Sequence, residues 1–161
     1  MTVRDLALEH QQRQTVIDIA RTWERTPYRH MGRVKGAGAD CLTILAEVFQ
    51  EAGLIEKVEI EFYPKDWMQH RSAERYLQGL LNYTKEIFTT PQPGDIIVWK
   101  VGRCFSHGAI VIDYPNVIHA LAGVGVIQEN IKNAAWLTHV GENTDNKGKP
   151  REYRVFSYWE K

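Results

Sequence analysis

The sequence has few cysteines and no excess of charge of either sign. Only two of its 161 residues are cysteines, Cys41 and Cys104. Two cysteines cannot build a disulfide framework, so free thiols in a reducing compartment are the simpler expectation. Twenty Lys and Arg residues balance 20 Asp and Glu residues, which gives a formal net charge of zero. We therefore expect neither nucleic acid nor an anionic membrane surface as a partner.

Long apolar runs are also missing. The longest lie at residues 96–99 and 109–112. They are far too short to cross a bilayer and have the length of strands, so no membrane insertion is expected. The first ten residues carry charges where a secretion signal would need an apolar stretch. We therefore expect synthesis in the cytoplasm, followed by release through lysis or transport in a particle to any target outside the cell.

The composition and the apolar spacing predict one α+β domain over residues 1–161. The chain is 43% hydrophobic and 25% charged, which is ordinary for a globular domain of this length. Apolar spacing predicts helices at residues 14–24, 40–52 and 72–82. Short β-rich segments separated by turn residues follow at 95–100, 105–113, 116–120, 124–129 and 152–158. Helices followed by strands predict N-terminal helices packed on an antiparallel sheet.

Cys41 has the setting of a nucleophile. It follows Asp40, a good helix N-cap, at the predicted start of the second helix, just after a glycine-rich loop at residues 32–38. A helix N-terminus stabilises a thiolate and presents N–H groups to a developing oxyanion. Cys104 has no such neighbours and is expected to be structural.

A nucleophilic cysteine needs a general base and a polar group that orients the base. His107 lies among small residues in Ser106-His-Gly-Ala109, and His119 lies on the next predicted strand. Adjacent antiparallel strands can bring two such side chains within about 5.5 Å. Cys41 and the two histidines could instead hold zinc. No Cys-x-x-Cys or His-Glu-x-x-His spacing supports this alternative, so we predict no metal site and no cofactor.

Several motifs occur in a recognisable order along the chain. They are Thr26-Pro-Tyr-Arg-His30, Lys35-Gly-Ala-Gly-Ala-Asp-Cys-Leu42, Pro93-Gly-Asp-Ile-Ile-Val98, Ser106-His-Gly-Ala-Ile110 and Val117-Ile-His-Ala120. Together they resemble the NlpC/P60 cysteine peptidases, most closely the phage-tail and gene-transfer-agent branch. Tyr63-Pro-Lys-Asp-Trp67 also resembles a segment of that branch.

The resemblance implies a papain-like α+β fold and hydrolysis of peptidoglycan stem peptides. The bond typically cut in this family joins γ-linked D-glutamate to diaminopimelate or lysine. Carried over position by position, the resemblance makes Cys41 the nucleophile, His107 the base and His119 the residue that orients the base.

The resemblance also implies a substrate pocket. Tyr28 falls where the family keeps a tyrosine close to the thiol, and Asp40 and Ser106 fall at positions that shape the pocket. Leu42 departs from the family pattern, because many members have serine after the cysteine, and this leaves the substrate class open. One alternative is a tail-assembly component with little activity, which has phage-tail-like proteins as partners. Another is an amidase or acyltransferase on the same fold.

Overall fold

The helices lie in the N-terminal half of the protein. A computed structural model describes residues 1–67, 74–138 and 148–160. They are α1 (Val3–Thr22), α2 (Thr43–Glu51) and α3 (Arg75–Leu81). α1 begins well before residue 14, where apolar spacing predicts its start. Thr2 and Asp5 form a capping box, in which each side chain accepts a hydrogen bond from the other residue's backbone N–H. The predicted start of the third helix, at residue 72, lies outside the described residues.

An antiparallel sheet forms the second layer. Two short strands, β1 (Arg33–Val34) and β2 (Gly38–Ala39), first pair with each other in the loop before α2. The main strands are β3 (Lys85–Ile87), β4 (Ile96–Val101), β5 (Cys104–Asp113), β6 (Asn116–Leu121), β7 (Gly125–Asn130) and β8 (Tyr153–Ser157). Their order in the sheet is β3-β8-β4-β5-β6-β7. The five predicted strands are present. β3 was not predicted, because three residues at a sheet edge show no clear alternation of apolar and polar side chains.

Both faces of the main sheet carry buried apolar side chains. The larger cluster includes Val16 of α1, Val48 of α2 and Ile110 of β5, so it lies on the face that the helices cover. The smaller cluster includes Trp99 and Val111 on the opposite face. Side chains alternate between faces along a strand, so consecutive residues of β5 and β6 belong to different clusters. Within the described ranges, no helix has the length and apolarity that a membrane span needs.

Candidate active site

Cys41 lies in a turn that Asp40 caps at the start of α2. One carboxylate oxygen of Asp40, Oδ1, accepts hydrogen bonds from the backbone N–H groups of Leu42 and Thr43 at 3.0 and 2.9 Å. The backbone N–H of Ile44 donates to the Asp40 carbonyl at 3.1 Å. Regular helix begins only at Thr43, but these bonds extend the first turn back to Asp40. Asp40 thus caps the turn that leads into α2, as the sequence predicts, although the helix itself starts three residues later than predicted and its own N-cap, Leu42, has no capping side chain.

The thiol of Cys41 contacts the backbone of β5 on both sides of His107. Its Sγ donates a hydrogen bond to the carbonyl of Ser106 at 3.4 Å, and the N–H of Gly108 lies close enough to lower its pKa. The thiol can reach this backbone because β6 does not pair with this part of β5. The two strands pair only between the Ile110–Ile118 pair and the turn that joins them.

The thiol is neutral in this arrangement. Burial raises the pKa of Cys41 to about 12 and the negative charge of Asp40 adds to the rise, although the residue keeps partial contact with solvent. The expectation that the helix N-terminus stabilises a thiolate is therefore not met at rest. Desolvation penalises the charged form by more than nearby N–H groups favour it.

Tyr76 of α3 holds the backbone of Cys41 in place. Its buried hydroxyl donates a hydrogen bond to the Cys41 carbonyl at 3.0 Å. The same hydroxyl fills the space above Gly108, where an added Cβ would lie 2.2 Å from the tyrosine oxygen. The small residue after His107 therefore makes room for the Tyr76 side chain.

His107 and His119 lie on the sheet face that carries the smaller apolar cluster, and they form a hydrogen-bonded pair. Nε2 of His107 lies 2.7 Å from Nδ1 of His119, and the two rings are nearly perpendicular. This pairing is the contact that adjacent strands were expected to allow. Because Nε2 of His107 is engaged, Nδ1 is its ring nitrogen available to a thiol. Within the described residues, Sγ of Cys41 hydrogen-bonds to the backbone beside His107 and not to the ring.

Both histidines are neutral at neutral pH. Burial lowers the pKa of His107 to about 3, and the neighbouring His119 contributes to the decrease. Burial also lowers the pKa of the fully buried His119, although Glu129 opposes this effect. A neutral imidazole has a lone pair, so His107 can accept a proton. The resting groups are therefore a thiol and a neutral imidazole, not an ion pair.

Two residues that sequence reasoning did not select complete the histidine cluster. Nε2 of His119 lies 3.0 Å from Oε2 of Glu129 on β7, and Nε1–H of Trp136 donates to the same oxygen at 2.9 Å. Trp136 belongs to a short 3-10 turn, Ala135–Leu137. The centroid of its indole ring lies 4.7 Å from that of His107 and 5.6 Å from that of His119. The predicted pair is therefore part of a four-residue cluster.

Tyr28 and Ser106 lie near the thiol in different ways. Burial raises the pKa of Tyr28, and charge on Cys41 and Asp40 adds to the rise, which places the tyrosine close to both. The Ser106 hydroxyl donates to the carbonyl of Val101 at 2.9 Å, and the residue is only 4% exposed. Its contact with the thiol is therefore made by its carbonyl. A contact of Tyr28 or Ser106 with substrate stays a prediction.

Asp40 is buried, and both of its carboxylate oxygens are engaged by protein groups. Oδ1 caps α2, while Oδ2 accepts hydrogen bonds from the Met31 N–H, at 2.7 Å, and from the Tyr63 hydroxyl. Nε2 of His30 lies 2.6 Å from the Tyr63 carbonyl oxygen, and their rings meet edge to face. In this structure Asp40 thus organises the backbone around the thiol, and its contact with substrate stays a prediction.

In the part of the chain that the structure describes, no group of three or more His, Cys, Asp and Glu residues is placed to hold an ion. Nε2 of His107 and Nδ1 of His119 already form a hydrogen bond with each other, at 2.7 Å.

Comparison with known proteins identifies the fold. The NlpC/P60 family model matches residues 25–144, whereas no curated protein sequence matches the chain. The structure is similar to the NlpC/P60 domain of the peptidoglycan hydrolase SagA, with a TM-score of 0.56 and 16% identity over 89% of this chain and 97% of that one. The predicted papain-like NlpC/P60 fold is therefore confirmed.

Two longer proteins share the fold. One is a lipoprotein-like member of the NLP/P60 family from Staphylococcus aureus, with a TM-score of 0.52 and 21% identity over 78% of this chain and 38% of that one. The other is NlpC2 from Trichomonas vaginalis, with a TM-score of 0.55 and 13% identity over 77% of this chain and 44% of that one. The chain thus spans less than half the length of either protein.

Proposed function

Because the chain belongs to the NlpC/P60 family, we propose that it is a cysteine peptidase that hydrolyses peptidoglycan stem peptides. Cys41 is the nucleophile, His107 the base and His119 the residue that orients it. The observation that carries the proposal is the hydrogen-bonded pair of neutral histidines at the point of β5 that the Cys41 thiol contacts. The similar SagA domain comes from a peptidoglycan hydrolase, which supports the substrate class.

The proposed reaction starts from a neutral thiol and a neutral imidazole. As Sγ of Cys41 bonds to the amide carbonyl carbon, Nδ1 of His107 takes the thiol proton. The carbonyl oxygen becomes an oxyanion, which needs hydrogen-bond donors. The cap of Asp40 occupies the N–H groups of Leu42 and Thr43, so the N–H of Cys41, which lies beside Sγ, is the donor.

The remaining steps release the two halves of the substrate. His107 passes its proton to the leaving amine nitrogen as the C–N bond breaks, which leaves a thioester on Cys41. His107 then takes a proton from water while the water oxygen attacks the thioester carbonyl. The proton returns to Sγ as the C–S bond breaks, and the carboxylic acid product leaves.

The bond that we propose is cut joins γ-linked D-glutamate to the diamino acid, as in the family that the sequence resembles. We also place the protein in the phage-tail branch of that family. Two segments that resemble this branch, residues 26–30 and 63–67, contact each other through His30 and Tyr63. The Tyr63 hydroxyl also donates a hydrogen bond to Asp40, the residue before Cys41. The proposed route to peptidoglycan is in a phage or phage-like particle, with tail proteins as partners.

Digestion of purified muropeptides, with products identified by mass, tests the proposed reaction. Wild-type protein should release fragments that end in D-glutamate, and Cys41→Ala should reduce their formation to background. Cys104→Ala is the matched control. The Cys104 side chain is fully buried in the fold, so its replacement should leave cleavage intact. Cleavage that persists in Cys41→Ala would overturn the assignment of the nucleophile.

An inactive wild-type protein would favour the alternatives. If folded protein with a reactive Cys41 cleaves no muropeptide, a tail component with little activity becomes the better interpretation. Acyl transfer or amide hydrolysis on a substrate outside peptidoglycan would instead favour the amidase or acyltransferase alternative, which Leu42 leaves open.

A further inference from the structure

Glu129 is the third member of a hydrogen-bonded chain that begins at His107. Its Oε2 lies 3.0 Å from Nε2 of His119, whose Nδ1 lies 2.7 Å from Nε2 of His107. The same carboxylate oxygen accepts the N–H of Trp136 at 2.9 Å. Indole N–H is only a donor, so Oε2 must act as an acceptor towards the tryptophan.

The direction of each hydrogen bond in this chain follows from Glu129. A carboxylate only accepts, so Nε2 of His119 must carry a proton and donate it. A neutral His119 then has an unprotonated Nδ1, which can only accept. Nε2 of His107 must therefore be the protonated donor in the contact with His119. A neutral His107 is left with an unprotonated Nδ1, which is the nitrogen available to the thiol.

The opposite arrangement is disfavoured by the same contacts. If Nδ1 of His119 carried the proton, its unprotonated Nε2 would face the carboxylate oxygen at 3.0 Å, with two lone pairs opposed. His107 would then accept at Nε2 and carry its proton on Nδ1. In that form it could not accept a proton from Cys41 at this nitrogen.

We propose that Glu129 is a positioning residue that fixes both histidines in their Nε2–H tautomers and so keeps Nδ1 of His107 free to act as the base. The inference rests on the proposed function, in which His107 is the base. Glu129 acts through His119: among the described residues its carboxylate hydrogen-bonds to His119 and Trp136 and not to the thiol.

Trp136 keeps Glu129 and the histidine pair together. Its indole N–H binds the carboxylate, while its ring packs across both imidazoles and meets Trp99 edge to face, with ring centroids 5.3 Å apart. The backbone of this turn is held from the other side, because Nε of Arg151 donates to the Trp136 carbonyl at 2.7 Å. Under this aromatic cover the His119 side chain is fully buried and the Glu129 side chain is 23% exposed, which limits the access of water that would compete for the same hydrogen bonds.

Long-range proton–nitrogen NMR spectra of histidine-labelled protein at neutral pH test the tautomers directly. Wild-type protein should show protons on Nε2 and none on Nδ1 for both His107 and His119. Glu129→Gln keeps a carbonyl oxygen that can accept from His119 and Trp136, so it should retain both tautomers and a kcat close to wild type. Glu129→Leu removes the acceptor and should give mixed tautomers. Its kcat on stem peptides should fall on the order of tenfold to hundredfold, with KM little changed.

Glu152→Leu is the matched control. Glu152 is an exposed glutamate whose carboxylate lies 4.0 Å from the Lys100 ammonium group, so its replacement should alter neither the spectra nor kcat. A proton on Nδ1 of either histidine in wild type would overturn the inference, as would unchanged tautomers in a folded Glu129→Leu. A loss of kcat in Glu129→Gln with unchanged tautomers would show that the charge matters instead, and would also overturn it.

The NMR and kinetic measurements distinguish a failure of this inference from a failure of the proposed function. The spectra need no substrate, so they decide the role of Glu129 even if wild-type protein cleaves no stem peptide. Conversely, cleavage by a protein whose histidines carry the wrong tautomers would sustain the proposed function and reject the role of Glu129. If Glu129→Leu does not fold, the wild-type and Glu129→Gln measurements can still overturn the inference.

Discussion

Gly108→Ala should destabilise the fold because one methyl group would collide with Tyr76, whose hydroxyl binds the Cys41 carbonyl. The added Cβ would lie 2.2 Å from the Tyr76 hydroxyl oxygen, 2.9 Å from Cδ1 of Leu45 and 3.1 Å from Cζ of Tyr76. Gly108 lies in β5 and does not have a positive φ, so the backbone itself tolerates alanine. The cost therefore comes from the displaced side chains.

The loss of stability in Gly108→Ala has two contributions. Overpacking in a well-packed interior costs about 1–3 kcal/mol. Displacing the Tyr76 hydroxyl also removes the donor of the Cys41 carbonyl, which costs about 1–3 kcal/mol when the acceptor is buried. The sum is about 2–6 kcal/mol, a large part of the roughly 5–15 kcal/mol by which a domain is stable. Tyr76→Phe removes the atom at 2.2 Å, so Gly108→Ala should cost at least about 1 kcal/mol less in that background.

Urea unfolding of the wild type, the two single variants and the double variant measures this coupling. Gly79→Ala is the matched control: Gly79 lies within α3, and an added Cβ there meets nothing within 4 Å. It should stabilise the protein by about 0.5–1 kcal/mol, the usual gain of alanine over glycine in a helix. A Gly108→Ala penalty that is absent, or equally large with and without the Tyr76 hydroxyl, would refute the reasoning.

Two further predictions concern the protonation of Cys41 and of His107. Burial raises the pKa of Cys41 to about 12, so iodoacetamide should alkylate it more slowly than free cysteine at neutral pH, in a Cys104→Ser background that leaves one thiol. The rate should increase about tenfold per pH unit, and a rate above that of free cysteine at mildly acidic pH would instead indicate an ion pair. Burial lowers the pKa of His107 from 6.5 to about 3, so between these values the unfolded state binds a proton that the folded state does not. The free energy of unfolding should fall as the pH is lowered through this window, by up to about 1.4 kcal/mol per unit. His107→Gln should flatten that slope in urea titrations, and an unchanged slope would show that His107 is not the group responsible.

The strands that carry the histidines could be predicted because local sequence determines them. Apolar residues at 109–112 and 117–118 flank the connection at Tyr114 and Pro115, so β5 and β6 follow from their own residues. The N-terminal half of α1 shows the opposite case. Most of residues 3–12 are exposed and carry no apolar stripe, so their helix depends on the capping box of Thr2 and Asp5 and on continuity with the buried residues beyond.

The site was predictable to the extent that it depends on neighbouring strands. His107 and His119 meet because β5 and β6 form one hairpin. Glu129 joins them because β6 pairs with β7 in a register that sets Val117 opposite Glu129, and a count of residues across that hairpin would have placed it on the histidine face. Trp136 reaches the cluster from a turn outside the sheet, and no local pattern indicates that contact.

The state of the thiol was the least predictable property. Its place at a helix start is visible in the sequence, and that place favours a thiolate. The burial that outweighs this preference comes from the elements packed around Cys41, among them β5, whose Ser106 carbonyl the thiol contacts. These contacts join segments that are far apart along the chain, so only the folded protein reveals them.

The division of the site between two layers has a consequence for the protein as it is being made. Cys41 leaves the ribosome with the helical half, whereas His107 arrives later on β5, and His119, Glu129 and Trp136 follow on β6, β7 and the next turn. Pairing of such distant segments is slow compared with helix formation. The nascent chain therefore carries the Cys41 thiol before the imidazole of His107 can lie beside it. Under the proposed function, catalytic competence therefore arises only once β5, β6, β7 and the turn around Trp136 are in place, so an unfinished chain would have no peptidase activity.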